Sequence, residues 1–148
     1  MNHSEANPAL WPAICQLTGN NRLTLRVSGQ CMAPCLENDA RVTVRRARAY
    51  LPGDVLVVTR ALGRPVVHRL IGLFPAKGSL RYLTQADNSP TPDGSVTRDA
   101  ILGRVCGGQC SPLAVTIPLR HRAKAVGRFV TFLGTRLRQR TWSLLKTT

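Results

Sequence analysis

The sequence predicts a mainly β chain: a compact, strongly bent β-core followed by a C-terminal amphipathic helix. Three observations predict it. From Arg22 onward, short runs in which apolar and polar residues alternate are separated by turn signals. Pro118 closes that part of the chain. Beyond it, apolar residues recur three or four positions apart, the period of a helix. The chain divides accordingly into an arm over 1–21, a β domain over 22–118 and a basic helix over 119–148.

At 148 residues the chain is sized for one domain with a modest core. With 43% hydrophobic and 19% charged residues it reads as globular, not disordered. No run of about 18 apolar residues occurs, so no membrane-spanning helix is expected. The first eleven residues carry Glu5 and have no basic stretch leading into an apolar one, so they do not read as a secretory signal. The five cysteines are Cys15, Cys31, Cys35, Cys106 and Cys110. An odd count without an export signal predicts reduced thiols and a cytoplasmic setting.

In chain order, the arm contains Pro8, Pro12, Gly19 and several Asn. Strands are then predicted over 22–28, 40–46, 54–60, 65–73, 79–85, 99–106 and 113–117. Breaks fall at Glu37-Asn38-Asp39, Pro52-Gly53-Asp54, Leu62-Gly63-Arg64, Pro75 to Gly78 and the long stretch 86–98. In the tail, Leu119, Ala123, Val126, Val130, Leu133 and Leu137 form one apolar stripe, with Arg120, Arg128, Arg136 and Arg140 mostly on other faces. Gly127 and Gly134 each weaken that helix by about 1 kcal/mol relative to alanine.

Chemistry concentrates in Ser28-Gly29-Gln30-Cys31-Met32-Ala33-Pro34-Cys35-Leu36. A half-buried strand meets Ser-Gly and delivers Cys31 at the turn, and Pro34 stops the strand from continuing. The segment resembles the nucleophile segment of the signal peptidases and of the self-cleaving (LexA-like) SOS-response repressors, which read Gly-x-Ser-Met-x-Pro or Ser-Gly-Ser-Met-x-Pro. The departure is Cys31, where that superfamily has serine. Four further segments resemble the same superfamily in the same order. Leu51-Pro52-Gly53-Asp54-Val55 is similar to its Gly-Asp strand. Val66-Val67-His68-Arg69-Leu70 is similar to the strand carrying its base, lysine in many members and histidine in others. Leu83-Thr84-Gln85-Ala86-Asp87-Asn88, with Asp93 beyond, is similar to its Thr-Lys-Gly-Asp-Asn…Asp segment, with Ala86 in place of a glycine. Ile101-Leu102-Gly103-Arg104-Val105 is similar to its closing strand.

The resemblance implies a bent β-core of the signal peptidase/LexA-like type and a peptidase that cleaves a precursor or leader peptide by acyl transfer. It implies Cys31 as nucleophile, His68 as base, Asp87 as the partner that orients His68, and Asp93 in support. Gly29 and the Cys31 N–H stand at the oxyanion position, and Met32 and Pro34 flank the substrate. The superfamily's second oxyanion donor is a hydroxyl two residues before the nucleophile, and that position is Gly29 here. The roles are physically coherent. A thiol needs less activation than a hydroxyl, an imidazole can take its proton, and a carboxylate fixes the imidazole tautomer. No cofactor is expected on this reading.

Three other readings stand beside it. One is a catalytically inactive relative that binds peptide or membrane. Another is a zinc module, since Cys31-x-x-x-Cys35 and Cys106-x-x-x-Cys110 have an allowed ligand spacing; Pro34 and Gly107-Gly108 inside the pairs do not make a zinc knuckle. Charge suggests the third. The net charge is +14, and residues 100–148 hold nine basic and no acidic residues. Such a tail can meet anionic lipid at the inner membrane face, pack on the core, or contact nucleic acid. No specific nucleic-acid complex is expected, because no aromatic-studded basic strand accompanies the charge.

Overall fold

The computed structural model describes residues 22–60 and 65–145. The arm over 1–21 with Cys15, the turn at 62–64 and the side chain of Trp142 lie outside the described residues. Six strands form one sheet: β1 (Arg22–Arg26), β2 (Arg41–Arg45), β3 (Val55–Thr59), β4 (Pro65–Ala76), β5 (Ser79–Gln85) and β6 (Ile101–Gly108). Their order is β1-β2-β6-β3-β4-β5, and every neighbouring pair is antiparallel. Each matches a strand expected from the alternation.

Strand position explains composition. β1 is an edge, and Arg22, Thr24 and Arg26 face outward along it. β3 lies between β4 and β6, and Val55, Leu56, Val57 and Val58 are all buried. Val55 and Val57 join Val42, Val44, Val67 and Val105 on one face. Leu56 and Val58 join Leu70, Tyr82 and Ile101 on the other. Each such side chain contributes about 1.5–3 kcal/mol when fully buried. Bulges interrupt the β2–β6, β3–β6 and β4–β5 ladders, and bulges bend and twist the strand that carries them.

The seventh expected strand, over 113–117, is corrected. Pro112–Val115 is a one-turn helix, α1. Ser111 caps it by accepting a hydrogen bond from the Leu113 N–H at 3.3 Å, and proline occupies the first turn, where its missing N–H costs nothing.

The C-terminal helix, α2, runs Leu119–Leu145. One of its faces packs on the sheet. Ala125 is buried against Ile71 and Leu83, with Phe129, Phe132 and Phe74 packed around them. Phe129 stacks on Phe74 with ring centroids 6.3 Å apart. Gly72 makes that possible, since a Cβ there would stand 2.2 Å from the Phe129 ring. Leu119, Val126, Val130, Leu133 and Leu137, the apolar stripe read from the spacing, face outward.

The start of α2 is tied to the Gly53-Asp54 turn. Arg122 donates to the Pro52 carbonyl at 2.8 Å and to Asp54 Oδ1 at 3.1 Å. Gly53 has φ +98°, and a Cβ there would come within 2.9 Å of Ile117. Both features demand glycine.

Candidate active site

Cys31 sits in the loop between β1 and β2. The loop closes through Asp39 N–H to the Val27 carbonyl (2.7 Å), with Asp39 in the left-handed region at φ 65°. It is held down by Met32, Cys35 and Leu36, all buried in the first core face. This corrects the expectation for Met32. It is a core residue, 1% exposed, and does not reach a substrate. Cys31 is left half-buried, with Sγ 3.9 Å from the carbonyl of Val67, the residue before His68.

The 86–93 stretch braces this loop from the far side. Asn88 donates its N–H to the Cys31 carbonyl at 3.1 Å and its side-chain amide to the Gln30 carbonyl at 2.6 Å. Asp93 N–H bonds the Thr84 carbonyl at 2.8 Å, which returns the chain to β5 and aims Asp93 at β4.

His68 is opposite Leu56 in the β3–β4 ladder, with a side chain 12% exposed. Its Nδ1 lies 2.6 Å from Asp93 Oδ2, within hydrogen-bond distance, although the pair falls short of a well-aligned N–H···O bond. Arg60, which sequence reasoning passed over, donates to Thr84 Oγ1 at 3.0 Å and stands 3.1 Å from the same Asp93 oxygen.

The expected Asp87–His68 pairing is corrected. Asp87 receives Arg69 in a two-pronged contact, Nε to Oδ1 and Nη2 to Oδ2, each 2.7 Å. Arg69 also donates to the Gly53 carbonyl at 2.8 Å and to the Cys35 sulfur at 3.5 Å. A guanidinium with its rigid fork takes Asp87 more completely than an imidazole can. Asp93 is therefore the carboxylate at His68.

The protonation states follow from burial. Burial pushes the His68 pKa below its ordinary 6.5, outweighing Asp93, which pulls it up. Burial likewise pushes the Cys31 thiol up from its ordinary value, and the charges of Asp93 and Asp87 add to that. The backbone N–H groups of Cys31 and Met32 oppose the rise. At neutral pH Cys31 is thus a thiol and His68 a neutral imidazole.

The Gly29 backbone, expected at the oxyanion position, is already engaged. Its N–H donates to Asn38 Oδ1 at 2.7 Å, and its φ is +98°. The Met32 N–H, to which no sequence signal pointed, also favours the thiolate of Cys31. Ala86 is buried and does not occupy the positive-φ region, so alanine fits where the resembled motif has glycine.

No protein-family model matches the chain, and no curated protein matches it.

A cleft of about 300 Å³ opens beside the site, lined by Pro34, Cys35, Asp87 and Asn88 on one side and His121, Lys124 and Arg128 of α2 on the other. Cys31 does not line it. Arg128 also borders a second cleft, between α2 and Pro90-Thr91-Pro92. Among the described residues no group of three or more His, Cys, Asp or Glu is arranged to hold a metal ion.

Proposed function

We propose that this protein is an endopeptidase of the signal peptidase/LexA-like type that cleaves a precursor or leader peptide through Cys31. The observation that carries the reading is one arrangement. A half-buried thiol on a pinned loop contacts the carbonyl just before His68, and His68 contacts Asp93 through Nδ1. The four ordered sequence motifs support it independently.

In this reading the imidazole proton sits on Nδ1, 2.6 Å from Asp93 Oδ2, and Nε2 is the basic nitrogen. In the proposed step, Nε2 takes the Cys31 proton as sulfur bonds to the scissile carbonyl carbon. The N–H groups of Cys31 and Met32 stabilise the oxyanion. As the C–N bond breaks, the leaving amine takes the proton from His68. Water, deprotonated by the same nitrogen, then hydrolyses the thioester and restores the thiol. Arg60 holds Asp93 in place, and the Arg69–Asp87 pair holds the β4 backbone against the Cys31 loop. The cationic wall of the cleft gives a peptide with carboxylates a place to lie.

The competing reading, an inactive peptide-binding relative, rests on the engaged Gly29 N–H, which removes one oxyanion candidate. A mixed peptide library read by mass spectrometry separates the two. Cleavage at defined bonds by the native chain and none by Cys31→Ala supports the enzyme. Retention of peptides without any new termini supports the binder.

A further inference from the structure

α2 has two apolar faces, and among the described residues one of them packs on the sheet. Ala125, Phe129 and Phe132 lie on the sheet. Leu119, Val126, Val130 and Leu133 fall on a different stripe and are 82%, 43%, 61% and 38% exposed. Large apolar side chains exposed singly are ordinary, but four in register along one helix make a patch that marks an interaction surface.

The chemistry of the helix decides what covers it. The 27 residues of α2 include seven Lys or Arg and no acid. At 1.5 Å per residue the helix spans about 40 Å, and Arg120 falls on one border of the exposed stripe at helical spacing, while Arg136 lies over the Phe132 ring. Apolar residues bordered by cations match a surface that is anionic at the headgroups and apolar beneath. A second copy of the chain would bring two such cationic helices together with no acid between them. The stripe also contains only Val and Leu, whereas protein interfaces anchor on aromatic residues and Arg. We infer that α2 docks the protein on an anionic lipid surface, with Val126, Val130 and Leu133 entering the headgroup–acyl boundary. This inference stands apart from the peptidase reading.

The test uses the full chain and sedimentation with vesicles at physiological salt. The expected result is pelleting with vesicles of phosphatidylglycerol and phosphatidylcholine, and little with phosphatidylcholine alone. The triple substitution Val126→Ser, Val130→Ser, Leu133→Ser is expected to weaken binding by roughly tenfold or more, since buried apolar area drives insertion. Its melting temperature should stay close to the parent's because these side chains leave the core untouched. Should the triple variant fold poorly, Val130→Asp alone replaces it. Three outcomes overturn the inference: no pelleting of the native chain with anionic vesicles, equal pelleting of the serine variant, or a dimer in sedimentation that the serine variant dissolves.

Discussion

Nδ1 of His68 lies 2.6 Å from Oδ2 of Asp93, while Asp87 is held by both prongs of Arg69. The two carboxylates of one loop therefore have different duties, and their amide variants should behave differently. Asp93→Asn is expected to keep the fold and to lower peptide cleavage by roughly 10³–10⁴-fold, as when a tautomer is no longer enforced. Asp87→Asn should act mainly on stability. Cleavage rates and melting curves of both variants check this. Full cleavage by Asp93→Asn would return the orienting role to Asp87.

Arg69 is buried and its side chain is 8% exposed, against 19% for Asp87. Removing one partner of such a pair leaves a charge without compensation. Arg69→Met should destabilise by about 3 kcal/mol or more, because it strands Asp87 and frees the Gly53 carbonyl. Urea unfolding measures it. A change below about 1 kcal/mol would show that the pair does not hold the two loops together.

Gly72 and Phe129 make a second stability prediction. A methyl group at residue 72 would overlap the aromatic ring. Gly72→Ala should therefore cost about 1–3 kcal/mol, the usual penalty of overpacking. In the Phe129→Ala background most of that cost should vanish, which a double-mutant cycle on melting data will show. Additive losses would mean that the helix does not seat Phe129 over residue 72.

Several features of the fold were legible because they depend on local pattern. The Val-Leu-Val-Val run of β3 and the alternation of β1 and β2 are set by which faces are buried, and turn residues mark their ends. Other features depend on partners distant in sequence. Two apolar stripes run along α2, and periodicity alone cannot say which one meets the sheet. Gly72 decides it, some 57 residues earlier in the chain, by leaving room for a ring. Met32 was misjudged because a motif position says nothing of burial. The Asp87/Asp93 exchange was hidden for a similar reason. The carboxylate that reaches His68 is set by the return of residue 93 to Thr84 and by the competing guanidinium of Arg69. At Ser111-Pro112 the cap-and-proline signal was present and a strand was still expected, because the following Leu113-Ala114-Val115 is apolar.

The lowered His68 pKa makes a pH prediction for stability. The unfolded chain takes up a proton near pH 6.5, and the folded chain does so only at lower pH. Below pH 6.5 the unfolded state therefore binds more protons, and stability falls as pH drops towards the folded pKa. His68→Gln should remove that part of the slope. Melting temperatures of the two proteins across this range provide the comparison.

The central claim is that Cys31 is a nucleophile served by His68, and the direct measurement is acylation by an activated ester followed site by site with mass spectrometry. The account predicts that Cys31 acylates faster than Cys35, Cys106 and Cys110. Its rate should hold down to a pH below 6.5, where His68 becomes protonated, and His68→Ala should slow it by roughly 10²–10⁴-fold. Acylation spread evenly over the accessible cysteines, at a rate that His68→Ala leaves unchanged, would contradict it.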